Sequence, residues 1–235
     1  ALLGPEFSPD HIARTAKKFK APYTHYPDYG ELCADVAALI GRGMVIGWFQ
    51  GRMEYGPRAL GNRSILGNPC LTETQKKINL KIKHREEFRP FAPSVLEEDM
   101  SDYFELDRPS PYMLLVSRVK EKRLRAEPEN YSRMSMYERL YHERSDIPAV
   151  THVDYSARIQ SVNKTTNERF WKLISACKQK NGYGLIVNTS FNVRGEPIVC
   201  TPEDAFRCFM GTRIEALAVG NCFLRKEEQN ASLSR

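Results

Sequence analysis

The sequence predicts an α/β fold in a single domain, and three observations predict it. Helix-like and strand-like stretches alternate along most of the 235 residues. Two short apolar runs, residues 44–49 and 184–188, read as strands buried on both faces. The chain is 41% hydrophobic and 27% charged, shows no internal repeat and no clear linker, and is long enough for a sizeable core. That balance excludes collagen-like, mucin-like and globally disordered classes. No apolar run approaches the roughly 18 residues that a membrane span needs.

The elements follow in chain order. Leu32, Val36, Leu39 and Ile40 share one helical face, stopped by Gly41 and Gly43. The strand over 44–49 comes next. Thr72-Glu-Thr-Gln75 has the spacing of a capping box and opens a helix toward Asn79. Residues 92–97 and 112–119 read as strands, with a short helical turn over 99–104. Residues 120–147 are charged and poorly periodic, which predicts a surface excursion. Residues 149–151 and 158–162 are strand-like. Asn167 caps an amphipathic helix to Lys180, ended by Gly182, and the strand over 184–188 follows. Thr201 then serves as N-cap, with Pro202 at the first helical position and acid in the first turn. That helix runs to Gly211, and a strand covers 216–219. One domain is expected over residues 1–226, with a polar, frayed tail at 227–235.

Thirty-five basic residues against 29 acidic ones leave a net charge of +6, which suits a polyanionic partner, phosphate or nucleic acid. The six cysteines include no C-x-x-C pair and several sit on apolar faces, so free, buried thiols in a reducing, cytoplasmic setting are expected. The five histidines are scattered, and no metal site is expected. Residues 1–10 hold no initiator Met, basic n-region or apolar h-region, so the chain reads as part of a longer polypeptide.

Four polar stretches concentrate the chemistry. Gly51-Arg-Met-Glu-Tyr-Gly-Pro-Arg-Ala-Leu-Gly-Asn-Arg63 follows a buried strand, so Arg52, Arg58 and Arg63 can converge with exposed backbone N–H groups on a phosphate. The plain alternative is a Gly-rich connection with solvated arginines. Neither a Walker A loop nor a Gly-x-Gly-x-x-Gly fingerprint is present. In Lys81-Ile-Lys83-His-Arg85-Glu-Glu-Phe-Arg89-Pro-Phe-Ala-Pro93, an extended backbone puts Lys81, Lys83 and Arg85 on one face, and Pro90 and Pro93 hold Arg89 and Ala92 out of helix. An ordinary basic edge strand has the same pattern. Asn188-Thr-Ser-Phe-Asn192 leaves the end of a buried strand, where α/β proteins place ligand contacts, so Asn188, Thr189, Ser190 and Asn192 are candidates against a loop of Asx-turns. Thr151-His-Val-Asp-Tyr-Ser-Ala-Arg158 offers Thr151, Arg158 and a His152–Asp154 acid/base pair, against a satisfied loop histidine. No covalent nucleophile emerges. Many cations with neutral hydrogen-bonders suit phosphoryl or adenylyl transfer, where positioning and charge neutralisation dominate.

Together these stretches resemble the C-terminal domain of the NodU/CmcH-type O-carbamoyltransferases. The resemblance rests on residues 51–64, Arg85-Glu-Glu-Phe-Arg-Pro-Phe-Ala-Pro-Ser94, Val153-Asp-Tyr-Ser-Ala-Arg-Ile-Gln160, residues 188–192 and Gly195-Glu-Pro-Ile-Val-Cys-Thr-Pro-Glu-Asp204. It implies a YrdC-like, three-layer α/β/α domain, with Lys83-His-Arg85 and Ser190-Phe-Asn192 as counterparts of that fold's Lys-x-Arg and Ser-x-Asn signature. It also implies binding of carbamoyl phosphate and ATP, with Mg2+ accompanying ATP, and formation of carbamoyl adenylate. Lys83, Arg58 and Arg89 are then the catalytic candidates, and the other residues named above bind substrate. An N-terminal Kae1-like, metal-binding domain, absent here, is implied as the partner that moves the carbamoyl group to a hydroxyl, making this chain about half of the whole. Tyr155 stands where the family often has Gly, and residues 120–147 match no motif.

Three rival readings remain at this stage. YrdC-like relatives include RNA- and tRNA-binding modules, although here nucleic acid is not the expected partner. A threonylcarbamoyl-adenylate-type synthase domain is the second rival, and a catalytically silent docking subunit is the third.

Overall fold

The computed structural model describes residues 1–229. The helices are α1 (Pro9–Lys18), α2 (Tyr29–Gly41), α3 (Thr72–Lys81), α4 (Met100–Tyr103), α5 (Met136–Tyr141), α6 (Glu168–Asn181) and α7 (Pro202–Gly211). The strands are β1 (Thr24–His25), β2 (Ile46–Phe49), β3 (Arg63–Gly67), β4 (Ala92–Leu96), β5 (Leu115–Arg118), β6 (Ser156–Val162), β7 (Leu185–Ser190), β8 (Ala216–Val219) and β9 (Cys222–Arg225). They form one nine-stranded sheet in the order β1-β9-β8-β2-β3-β7-β4-β6-β5. Two pairs are parallel, β2 with β8 and β4 with β6, so the sheet is mixed.

Alternation of side chains along the central strands divides the core in two. Trp48, Leu66, Ile186 and Ala218 face the layer of α2 and α6, while Phe49, Ile65, Val187 and Leu217 face the layer that holds α1, α3 and α7. This is the expected three-layer α/β/α arrangement. No helix is long and apolar enough to cross a membrane among the described residues. All six cysteines are unpaired, and four of them are buried.

Several local expectations need correcting. Residues 63–67 form β3 between β2 and β7, although Arg63 was expected to end a glycine-rich loop and no strand was expected after it. Helix α1 had no counterpart in the sequence reading, although Ser8 caps it (His11 N to Ser8 Oγ, 3.2 Å) and Pro9 opens it. Thr72 does not cap α3. Leu71 is the N-cap, and the Thr72 hydroxyl donates to Glu143 at 2.6 Å. Residues 149–151 are not a strand, because Pro148 starts a 3₁₀ turn over Pro148–Val150. The strand expected over 112–119 shrinks to 115–118 at the sheet edge.

The 120–147 excursion holds α5 and two 3₁₀ turns, closed by the Leu124–Ser145 bridge and an Arg123–Asp146 ion pair at 2.7 Å. Instead of fraying, Lys226–Glu228 form a 3₁₀ turn, and Lys226 Nζ donates to the carbonyl of Met210 at 3.0 Å. The rest of the expected tail, residues 230–235, lies outside the described residues.

Candidate functional site

Strand β7 runs antiparallel to both β3 and β4. Its last residues, Asn188, Thr189 and Ser190, therefore lie where β4 and β6 begin, beside Ala92 and Arg158. Here a concavity of about 130 Å³ opens, walled by Pro57, Arg58 and Ala59 from the β2–β3 loop and by Arg85, Pro90 and Phe91 from the α3–β4 loop. Met113 and Arg158 complete it. Every one of the four motif stretches except its own outliers thus reaches one end of one sheet.

The β2–β3 loop is held from within. The buried carboxylate of Glu54 accepts from the backbone N–H groups of Leu60 (2.7 Å), Asn62 (2.7 Å) and Arg63 (3.2 Å). These are donors that the sequence reading offered to a ligand phosphate, and Glu54 has already filled them. Gly61 sits at φ +110°, and a Cβ there would meet the Phe170 ring of α6 at 2.1 Å, so only glycine lets the loop lie this close. Arg58 is consequently presented from a braced loop.

A buried amide network joins that loop to the sheet. Asn188 Nδ2 donates to Ala59 O (3.1 Å), Ser94 Oγ (3.0 Å) and Gln160 Oε1 (2.9 Å), while Gln160 Nε2 donates to Leu60 O (2.8 Å). Sequence reasoning found Asn188 but missed Ser94 and Gln160. Both occupy strand positions whose neighbours two residues on, Leu96 and Val162, face the core, and a polar residue in that register was the available signal.

Three guanidinium groups face the concavity, and none forms an ion pair with a carboxylate among the described residues. Arg158 is half-buried, its Nε has no partner, and its Nη2 meets only Met113 Sδ at 3.7 Å. Burial pulls its pKa below the ordinary guanidinium value, and the charge of Arg58 adds to that. Burial does the same to Arg85, followed by the charge of Arg89. Positive charges held together without counter-charge, next to neutral donors on β7, suit a small oxyanion.

Lys83 is placed differently from the extended-strand expectation. The chain leaves α3 at Lys81 and turns through His84 at φ +48°, so Lys81, Lys83 and Arg85 do not share a face. The buried ammonium of Lys83 donates to Asn192 Oδ1 (2.7 Å), Asn192 O (2.9 Å), Ser190 Oγ (3.3 Å) and the carbonyl of Ser190. Ser190 Oγ in turn donates to Asn192 Oδ1 at 2.7 Å. Lys-x-Arg and Ser-x-Asn do come together, with Lys83 clasping the turn after β7. Burial, then Arg85, pulls the Lys83 pKa down to about 7.

Other candidates are not brought to the concavity. Arg63 is fully buried. Its Nη atoms donate to the carbonyls of Gln50 (2.8 Å), Asn62 (2.9 Å), Pro5 (3.1 Å) and Gly51 (3.2 Å), and the group lies 3.6 Å above the Phe49 ring. It is a structural tie, since both terminal nitrogens are spent on backbone carbonyls and only Nε lacks a partner. Arg52 is exposed on the outer loop, where its carbonyl accepts from Asn62. Arg89 is exposed beside the site and pairs with Glu86 at 2.9 Å. Thr151 is buried against Ser145 and Ile147. His152 and Asp154 share no side-chain hydrogen bond, because Asp154 accepts from Ser156 N (3.1 Å) and Oγ (2.6 Å).

The arrangement defines an α/β domain with a cationic, hydrogen-bonding pocket at one end of its sheet. The chain belongs to the carbamoyltransferase C-terminus family, whose model matches residues 37–226. An uncharacterized protein of Synechocystis is 53% identical over 97% of this chain and 37% of its own length. The nodulation protein NolO of Bradyrhizobium diazoefficiens is 41% identical over 83% of the chain and 33% of its own. The 3'-hydroxymethylcephem-O-carbamoyltransferase of Streptomyces clavuligerus is 34% identical over 82% and 33%. The chain thus spans about a third of the length of these relatives, not the half expected. Among solved structures, full-length HypF in its phosphate- and nucleotide-bound form overlays with a TM-score of 0.45 at 15% identity, over 80% of this chain and 21% of that one.

Proposed function

We propose that residues 1–226 form the carbamoyl-activating domain of an O-carbamoyltransferase, which binds carbamoyl phosphate and ATP and forms carbamoyl adenylate for transfer to a hydroxyl elsewhere in the longer polypeptide. One observation carries this reading: Arg58, Arg85 and Arg158 meet around the end of β7 with no carboxylate among the described residues to neutralise them. A concavity of about 130 Å³ suits a phosphate-sized group and not a whole nucleotide, so the nucleoside of ATP would extend beyond it.

The chemistry asks for such a surface. Activation hydrolyses carbamoyl phosphate, with water as co-reactant, to carbamate and phosphate; a carbamate oxygen then attacks the α-phosphorus of ATP, and pyrophosphate leaves. Negative charge develops on phosphate oxygens throughout. Fixed guanidinium groups stabilise that charge without having to reorganise. Ser190, Thr189 and the arginine donors would orient the substrate, while Lys83 shapes the turn that carries Ser190. Mg2+ would come with ATP as its counter-ion, since the pocket lining offers it no carboxylate among the described residues.

The test is carbamoyl-phosphate-dependent exchange of pyrophosphate into ATP, with calorimetric titration of ATP analogues. Exchange by the chain, lost in Arg58→Ala and Arg158→Ala, is expected. Unchanged exchange in both variants overturns the reading. Tight RNA binding that falls steeply with salt, without exchange, favours a nucleic-acid module instead.

A further inference from the structure

Asn79, on the last turn of α3, lies outside every motif above and is fully buried. Its main-chain carbonyl accepts from Arg85 N (3.1 Å). Its Oδ1 accepts from Arg85 Nε (2.7 Å), and its Nδ2 donates to the carbonyls of Arg89 (2.8 Å) and Glu87 (3.0 Å). One turn earlier, Gln75 Nε2 donates to the same Arg89 carbonyl at 3.2 Å. The loop that brings Arg85 to the pocket therefore hangs from the end of α3, chiefly from one amide.

A guanidinium carries five N–H donors in a rigid, planar fork. In Arg85 the Nε edge is taken by Asn79, and the group lies over the Phe91 ring, 5.1 Å from its centroid. The two terminal nitrogens make no hydrogen bond among the described residues, and Arg85 lines the concavity. We propose that Asn79 is a positioning residue, which fixes the Arg85 fork so that its terminal N–H pair addresses an oxyanion in the pocket.

The side-chain chemistry explains why an amide holds this place. Aspartate would keep the acceptor for Nε, but it would lose the donor for two carbonyls and neutralise the guanidinium. An apolar residue would leave both sides unpaired. Lysine at position 85 would have a single terminal nitrogen, unable both to anchor on Asn79 and to present a forked pair.

The inference rests on the anion-pocket reading, and a double-mutant cycle separates the two. Inorganic phosphate is titrated calorimetrically into the 235-residue chain and into Asn79→Ala, Arg85→Ala, Arg58→Ala and the double variants. Asn79→Ala is expected to weaken phosphate about fivefold to tenfold, with no further loss in the Arg85→Ala background and the full loss in the Arg58→Ala background. Arg85→Lys, which leaves Asn79 untouched, is expected to bind nearly as weakly as Arg85→Ala. A folded Asn79→Ala with wild-type affinity, an undiminished loss in the Arg85→Ala background, or wild-type binding by Arg85→Lys overturns the proposal. Where Asn79→Ala fails to fold, Arg85→Lys decides. If the wild-type chain binds no phosphate, the pocket reading falls, and this inference with it.

Discussion

Two arginines from the motif stretches, Arg63 fully buried and Arg158 half-buried, end in opposite states. Arg63 sits under the β2–β3 loop with four different carbonyls on its terminal nitrogens and an aromatic ring beneath it. Arg158 shares the unpartnered Nε of Arg63, but its terminal nitrogens face the concavity with a sulfur contact in place of carbonyls, and the positive charge of Arg58 acts on it. Desolvation without compensation is expensive, so a fold retains it where a ligand completes the site. The difference teaches that being an arginine in a shared motif does not assign a role. What the guanidinium donates to does.

The largest expected effect breaks that comparison directly. Arg63→Ala strands buried carbonyls and is expected to destabilise the fold by about 3 kcal/mol or more, read as a lower denaturant midpoint. Arg158→Ala removes no backbone partner. It is expected to leave the midpoint within ~0.5 kcal/mol of wild type while abolishing detectable phosphate binding in calorimetry. A stable Arg63→Ala that has lost phosphate binding would reverse the two assignments.

Lys83 falls between these extremes, since it is buried on oxygen acceptors like Arg63 yet stands next to the site. Its pKa of about 7 lies below the ordinary value of 10.5. Between those two values the unfolded chain keeps a proton that the folded chain has released, so stability rises with pH. Below about 7 both states hold the proton and this dependence is lost. The limiting slope for one group is about 1.4 kcal/mol per pH unit. Unfolding midpoints at roughly pH 7 and 8.5 are therefore expected to differ by about 1–2 kcal/mol in the wild type and not in Lys83→Met. An equal difference in both proteins would mean that the four oxygens around Nζ hold the ammonium charged throughout.

Much of the architecture was legible in the sequence, because strands buried on both faces and an amphipathic helix with caps leave period and punctuation behind. The strand around Asn188 and α6 emerged that way. Strand β3 did not, since Arg63, Ser64 and Gly67 disguise it, and its polarity reflects the Arg63 tie to carbonyls. The site was legible as a set of cations but not as a geometry. Nothing local says that Glu54 fills the backbone donors of its own loop, or that His84 turns through the left-handed region and separates Lys83 from Arg85. Tyr155 is a related case. It takes φ +64°, a conformation that glycine adopts without strain. Asn79 was invisible because its partners are main-chain carbonyls and one arginine side chain six residues on.

The smallest expected effect concerns the pair that sequence reasoning offered as acid and base. Asp154 closes a turn into β6 by accepting from the backbone and hydroxyl of Ser156, and that hydroxyl bond is the leading reason its pKa lies below the usual carboxylate value. Burial lowers the pKa of His152, against the pull of Asp154. A turn-closing role needs an oxygen acceptor and no charge. Asp154→Asn keeps the acceptor, so it is expected to cost no more than ~0.5 kcal/mol, and Asp154→Ala about 1 kcal/mol, with phosphate affinity unchanged in both. An acid/base role needs the carboxylate itself, so Asp154→Asn would then remove pyrophosphate exchange and its pH dependence while leaving the unfolding midpoint alone. The two readings thus demand opposite results from one conservative variant. The Ser156 bonds favour the turn.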